Sequence, residues 1–256
     1  MARYQLTLAY DGTDFAGFQR QHKARTVQAV FESALKELGW QEGAILFAGR
    51  TDAGVHATGQ VISFEIDWPH EDESLLNALN ARLPNDVIGQ RIRKAGADFH
   101  PRYDAKSRTY HYTLYFAPQP NPLLYRFRWR IWPSLDGGLL NQAAQIFLGR
   151  KDFSTFGRAM KPGATTIREV FQSSWNANEY GWEYTIKANA FLYHMVRRLV
   201  FLQVNFARGH IDLADLVKGF DEKKVIKPGL APSHGLELFQ VEYDEESKEK
   251  LLERKN

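Results

Sequence analysis

The residues best suited to chemistry in this chain lie in one run, Gly49-Arg50-Thr51-Asp52-Ala53-Gly54-Val55-His56-Ala57. It holds a single carboxylate, Asp52, with a guanidinium and a hydroxyl just before it and an imidazole four residues on. The glycines at 49 and 54 permit backbone angles closed to other residues, so the run reads as a loop that keeps Asp52 close to Arg50 and Thr51. A carboxylate presented in this way suits nucleophilic or acid–base work. The same residues also suit a turn in which Asp52 bonds its own backbone and Arg50 points to water, and the residues alone leave both readings open. His56 raises the question of a metal. No second histidine or carboxylate recurs at ligand spacing and the chain has no cysteine, so we assign no metal site.

A carboxylate held ionised inside a fold needs a cation, and the sequence offers one in an unusual place. The run 191–206 is apolar almost all the way round, which marks a buried helix, yet it contains Arg197 and Arg198. Helical spacing puts Arg197 on the face of Tyr193, Phe201 and Val204, and Arg198 nearer His194 and Asn205. A guanidinium on an apolar face is costly unless a carboxylate meets it. Asp52 is the partner we assign to Arg197, a pairing that favours the charged carboxylate. The rival readings are an ion pair serving only architecture, and an arginine that reaches solvent along its stem.

Other basic residues are scattered. Arg20 and Arg25, with His22 and Lys23, form a basic loop suited either to phosphates or to water. Arg126, Arg128 and Arg130 alternate with Phe127, Trp129 and Ile131. Read as a strand, they line one face roughly 6 to 7 Å apart, which suits a run of phosphates or a protected sheet edge. Arg150, Lys151, Arg158 and Lys161 surround Asp152-Phe153-Ser154-Thr155-Phe156. Tyr110 shares a strand face with Tyr112, Leu114 and Phe116, and alternation alone does not separate it from a core ring such as Tyr112.

Composition narrows the class without deciding it. The 256 residues include 33 Lys and Arg against 30 Asp and Glu, and a net charge of +3 is too small to prove a polyanionic partner. The segment 244–256 mixes both signs and reads as a solvated tail or frayed helix, leaving a body richer in arginine. The absence of cysteine excludes disulfides and thiolate metal sites. The start runs directly into a strand pattern, and the longest apolar run is broken by arginines, so we expect a cytoplasmic protein with no signal peptide or membrane span.

The elements that must position these residues follow from periodicity. We expect strands at 4–10, 44–48, 60–66 and 87–94, a helix from the Thr26 cap to Gly39, and another over 73–83 ended by Pro84. That order, βαββαβ, is ferredoxin-like. The rest gives strands at 109–116, 126–132, 167–175, 182–188 and 237–243, and helices at 139–148, 191–206 and 213–220. The expectation is an α+β chain of two ferredoxin-like halves, 1–105 and 106–256, with mainly antiparallel sheets abutting around a central cleft. The first half carries the Asp52 loop and the second the Arg197 helix.

Gly49 to Ala57 resembles the active-site motif of the TruA family, the tRNA pseudouridine synthases of the anticodon arm. The likeness extends along nearly the whole chain. Tyr10-Asp11-Gly12-Thr13-Asp14-Phe15-Ala16-Gly17-Phe18-Gln19 resembles the family's N-terminal signature, with Phe18 where tryptophan is usual. Arg108-Thr109-Tyr110-His111-Tyr112 resembles the segment bearing its active-site tyrosine. Asp152 to Phe156 matches a further segment, with Lys151 where histidine is commoner. Tyr193-His194-Met195-Val196-Arg197 resembles the motif of the arginine that pairs with the catalytic aspartate, with Arg198 where asparagine is usual, and Gly235-Leu236-Glu237-Leu238 resembles the closing motif.

The resemblance implies Asp52 as catalytic nucleophile, Arg197 as its partner, and Tyr110 and Arg50 as substrate-binding residues. It also implies Leu236 and Leu238 as walls of a uracil pocket. To RNA we assign Arg20, Arg25, Arg126, Arg128, Arg130, Arg150 and Lys151. The implied reaction converts uridine to pseudouridine at positions 38, 39 and 40 of tRNA without cofactor or metal, on a base drawn out of its stack. The implied assembly is a homodimer whose two clefts share one RNA. A rival class is a non-catalytic RNA-binding protein, whose usual aromatic and glycine pattern is missing here. A carboxylate hydrolase wants a second acid near Asp52, for which only Asp11 and Asp14 stand as candidates.

Overall fold

The computed structural model describes residues 1–41, 43–161, 163–223 and 226–244. Along the chain run β1 (Ala2–Tyr10), α1 (Val27–Glu37), β2 (Leu46–Phe47), β3 (His56–Ile66), α2 (Asp72–Asn80), β4 (Val87–Lys94) and β5 (Ser107–Phe116). Next come α3 (Pro122–Tyr125), β6 (Trp129–Ile131), α4 (Gly137–Gln145), β7 (Gly149–Asp152), β8 (Ile167–Ala177) and β9 (Gly181–Ala188). The described chain closes with α5 (Met195–Ala207), α6 (Leu213–Asp221) and β10 (Leu236–Glu242). The architecture is mixed α+β, with strand pairs that are mostly antiparallel. It forms two compact units, Met1–Ser107 with the chain from Leu238, and Arg108–Glu237.

In the first unit β1 is central, antiparallel to β3 on one side and β4 on the other, and both β2 and β10 lie against β3. The alternation of β1 sends Tyr4, Leu6 and Leu8 into a core with no exposed surface. Helix α1 covers that core with Val27, Phe31 and Leu35, and the Phe31 ring lies 5.7 Å from Phe64 of β3. Thr26 caps α1, accepting from Ala29 N–H, and Gly39 stops it at φ +91°, both as the spacing predicts. Asn80, the last residue of α2, exchanges two side-chain bonds of 2.8 Å with the main chain of Gly89 in β4.

The second unit is built on the antiparallel order β5-β9-β8-β7, with β6 running parallel beside β5. Its core joins Tyr112, Trp175 and Tyr184 of the sheet to Leu140 of α4 and Leu199 and Leu202 of α5. Trp175 Nε1 donates to Gln203 Oε1 at 2.7 Å, tying β8 to α5. Phe147, Phe153 and Phe156 are buried around Phe220 of α6.

Several expectations need correction. The strand at 44–48 shrinks to two residues, and β3 begins at His56, so the last residues of the Asp52 run are strand rather than loop. The stretch 126–132 is not one strand: Asn121 caps the short turn α3 with Pro122 at its first position, and only Trp129–Ile131 is extended. The helix expected over 191–206 starts at Met195, because His194 adopts φ +64° and breaks the pattern before it. The last strand, expected with the second half, groups with the first unit from Leu238. The mixed-charge segment 244–256 lies, past Asp244, outside the described residues. Among the described residues no helix is long and apolar enough to cross a membrane.

Candidate active site

The loop carrying Asp52 is held through its main chain. Val55 N–H donates to Asp52 O at 3.2 Å and closes a turn around Gly54, whose φ is +75°. Phe18 N–H donates to Thr51 O (3.1 Å) and Gly54 N–H to Phe15 O (3.3 Å), so residues 15–18 lie along the turn. Two glycines make that approach possible. A Cβ on Gly12 would lie 2.0 Å from Val55 O, and one on Gly17, at φ +100°, would lie 2.9 Å from Thr51 O. The buried Tyr10 hydroxyl pairs with Thr51 Oγ1 at 2.8 Å, and Gln60 Nε2 donates to Gly49 O at 2.8 Å.

Asp52 itself is half-buried and Arg50 is exposed. Main-chain bonds close the turn that carries Asp52. His56 is a support: its Nδ1 accepts from Gly12 N–H at 3.0 Å. Asp11 Oδ1 lies 3.2 Å from the same nitrogen, so protonating the ring exchanges the Gly12 bond for an ion pair. Asp11 also accepts from the Thr13 main chain (3.0 Å) and hydroxyl (2.6 Å). The residues that sequence reasoning missed are thus Tyr10, Gly12 and Gly17. Their signal was present in the Tyr10 to Gln19 motif, but its partner lies some 40 positions away and spacing does not reveal it.

Arg20 and Arg25 brace the same unit. Arg20 Nη1 pairs with Glu32 Oε2 at 2.9 Å, and Glu32 is only 2 % exposed. Arg25 makes two bonds to Asp86, of 2.8 and 2.9 Å, and lies 4.0 Å above the Phe15 ring; the hydrogen bond to Asp86 raises its pKa. Both guanidiniums therefore already meet carboxylates.

In the second unit Tyr110 is 9 % exposed and meets Phe191 edge-on at 5.0 Å, while Tyr112 is fully buried. The Tyr112 hydroxyl donates to Pro232 O at 2.8 Å; burial pushes its pKa well up, and the charge of Arg197 pulls against that rise. Arg197 is half-buried and clasps Ala231 twice, through Nε to Ala231 O (2.8 Å) and through its carbonyl from Ala231 N–H (3.1 Å). The more buried arginine is its neighbour. Arg198 is 7 % exposed, donates to Gly229 O at 2.9 Å, leaves Nη2 without a partner among the described residues, and has its pKa lowered by desolvation. The apolar face thus runs through Arg198, and Arg197 shares its half-exposed face with Phe201.

The remaining assigned residues scatter. Leu236 is 6 % exposed and Leu238 fully buried, so Leu238 offers no surface to a ligand. Arg126 caps α3, Arg128 lies 4.4 Å from the Tyr180 ring, and Arg130 donates to Ala117 O and Pro118 O, so the three do not line one strand face. Arg150 is exposed on β7. Lys151 folds back to donate to Ile146 O at the end of α4, and burial lowers its pKa. Among the described residues no cluster of histidines and carboxylates could hold a metal ion.

Comparison with known proteins places this geometry. Residues 7–104 and 143–244 match the family profile described as tRNA pseudouridine synthase. The tRNA pseudouridine synthase A of Pseudothermotoga lettingae is 35 % identical over 245 residues, covering 95 % of this chain and 100 % of that protein. Those of Methylacidiphilum infernorum and Chloroflexus aurantiacus are 38 % identical, covering 95 % of this chain and 97 % and 89 % of those proteins. A likeness that spans both units, and includes the Asp52 loop together with the segments that grip it, identifies this chain as a member of the tRNA pseudouridine synthase family, isomerases that convert uridine to pseudouridine.

Proposed function

We propose that the chain isomerises uridine to pseudouridine at positions 38, 39 and 40 of the tRNA anticodon arm, with Asp52 as the nucleophile. One observation carries the assignment: a half-buried carboxylate sits on a turn held by main-chain bonds and the close approach of two glycines, in a chain of this family. A group so held keeps its orientation while it reacts.

The reaction breaks the bond between ribose C1′ and uracil N1, turns the ring, and joins C1′ to C5. The proton lost from C5 is balanced by the proton gained at N1. An ionised Asp52 attacks either C1′ or the uracil ring, and on both routes the carboxylate is released at the end. Arg197 serves as its counter-charge. Tyr110 supplies a ring against the extruded uracil. Arg50, exposed beside Asp52, holds the substrate, and Leu236 contributes an apolar wall. Arg150, exposed on β7, is the phosphate contact of the assigned set best placed to act, since Arg20, Arg25 and Lys151 are already engaged.

We read the two units as ferredoxin-like halves of a homodimeric cytoplasmic enzyme. The order β4-β1-β3 in the first unit, with the two-residue β2 also paired to β3, supports the ferredoxin-like reading. The test is to incubate purified protein with unmodified tRNA and map pseudouridine along it. Product confined to positions 38, 39 and 40 is the expected result. Product elsewhere contradicts the site assignment, and binding with no product at any concentration favours the non-catalytic RNA-binding alternative.

A further inference from the structure

The second unit also carries a pocket that the roles above leave unused. A cavity of 510 Å³ is lined by Arg158, Ala159, Met160, Lys161, Gly163 and Tyr193, a size suited to a small ligand. Its walls combine two kinds of chemistry. Tyr193 and Met160 are 36 % and 41 % exposed, so a ring and a thioether face solvent where apolar groups are usually hidden. Arg158 and Lys161 supply two positive charges three residues apart.

Several cations of the chain are already neutralised. Arg20 is met by Glu32, Arg25 by Asp86 and Lys223 by Asp152, whereas among the described residues neither Arg158 nor Lys161 has a carboxylate partner. The pocket is also built rather than incidental. Arg158 and Tyr193 exchange main-chain bonds of 3.2 and 2.9 Å, the Arg158 guanidinium lies 5.4 Å from the Tyr193 ring, and that ring stacks on His194 at 3.7 Å. His194 holds φ +64°, a costly conformation for a non-glycine residue, and it fixes the ring just ahead of α5.

Unneutralised cations beside an exposed ring match the two halves of a nucleotide, a phosphate and a base with a π-face. We propose that this pocket binds one unpaired nucleotide of the RNA substrate other than the uridine that reacts, its phosphate on Arg158 and Lys161 and its base against Tyr193 and Met160. The proposal rests on the RNA-modifying reading given above and adds a second contact point to it.

The test uses the full-length protein and a fluorescent anticodon stem-loop RNA, with Kd measured across a salt series. Arg158→Gln/Lys161→Gln is expected to weaken binding about tenfold at low salt and to reduce the slope of log Kd against log salt by about 0.7 to 1.4. Tyr193→Leu is expected to weaken binding about tenfold with the slope unchanged, since stacking is not a charge effect. Lys36→Gln/Lys218→Gln, which removes the same charge from exposed helix faces, should match wild type. Should a pocket variant fail to fold, 4-thiouridine placed along the RNA loop of the wild-type complex should crosslink to Tyr193 or Met160.

Wild-type affinity and slope in both pocket variants, or crosslinks only elsewhere, overturn the proposal. Loss in the charge variant with none in Tyr193→Leu overturns the nucleotide class and leaves an anion site for a phosphate or an acidic peptide. If the wild type neither binds nor modifies tRNA, the reading beneath the proposal fails; if it does both and the variants match it, the pocket alone fails.

Discussion

The loop around Asp52 is gripped along its main chain by Phe15, Phe18 and the approach of two glycines, whereas the loop bearing Arg158 and Lys161 is fastened near its ends and turns charged side chains outward. At its base Asp152 Oδ1 accepts from Ser154 N–H (3.0 Å) and Thr166 Oγ1 (2.5 Å), and Arg158 is sewn to Tyr193. Between those points Met160 and Lys161 remain exposed. The contrast follows the demands on each loop. A nucleophile loses rate steeply when misplaced by about 1 Å, while a phosphate contact tolerates adjustment because charge attraction falls off gently.

Breaking the grip on the first loop should have the largest effect. Gly12→Ala places a methyl 2.0 Å from Val55 O, a main-chain atom that cannot rotate away. We expect a stability loss of about 1 to 3 kcal/mol and a fall in kcat of about 100-fold, read by thermal denaturation and single-turnover kinetics. Normal turnover in this variant removes the argument that rigidity matters. Tyr10→Phe is milder, since it keeps the ring while deleting the buried bond to Thr51 Oγ1. It should cost about 1 kcal/mol by denaturant titration.

The clasp of the second loop should show itself in pH. Hydrogen bonds, first from Thr166 and then from Lys223, outweigh desolvation and hold Asp152 at a pKa of about 2, below the ordinary 3.8. A lowered folded-state pKa means that the ionised carboxylate stabilises the fold. The contribution is complete above about pH 4 and fades as pH falls through about 2. The stability difference between wild type and Asp152→Asn should therefore shrink between pH 5 and pH 2, and a difference constant over that range contradicts the clasp. Smallest of all is Met160→Ala at the open end of the loop, which should change stability by less than about 0.5 kcal/mol in the same denaturation assay.

Local signals carried much of this architecture. Thr26 and Gly39 bracket α1, the β4 strand appears over 87–94 as its alternation requires, and the Asp52 run stands out by its glycines. The parts that escaped depend on contacts between distant residues or on one unusual backbone angle. Gly12 and Gly17 look like ordinary turn glycines until the 51–55 main chain lies against them. Asn121-Pro122 is a helix start that was legible, yet the alternation of arginines and apolar residues after it suggested a longer strand. Arg198 rather than Arg197 is the more buried of the two, because helical spacing gives the relative directions of side chains in α5 but not which of its faces meets the core. The engagement of Arg20 with Glu32 and of Arg25 with Asp86 joins positions 12 and 61 residues apart, beyond the reach of any local pattern.

Asp52→Asn tests the central claim most directly, because it keeps the volume of the side chain and the main-chain bonds of its turn while removing the nucleophile. Pseudouridine formation and tRNA affinity should be measured on the same preparation. The account predicts no detectable pseudouridine with a Kd within about threefold of wild type. Pseudouridine formed at the wild-type rate would contradict it.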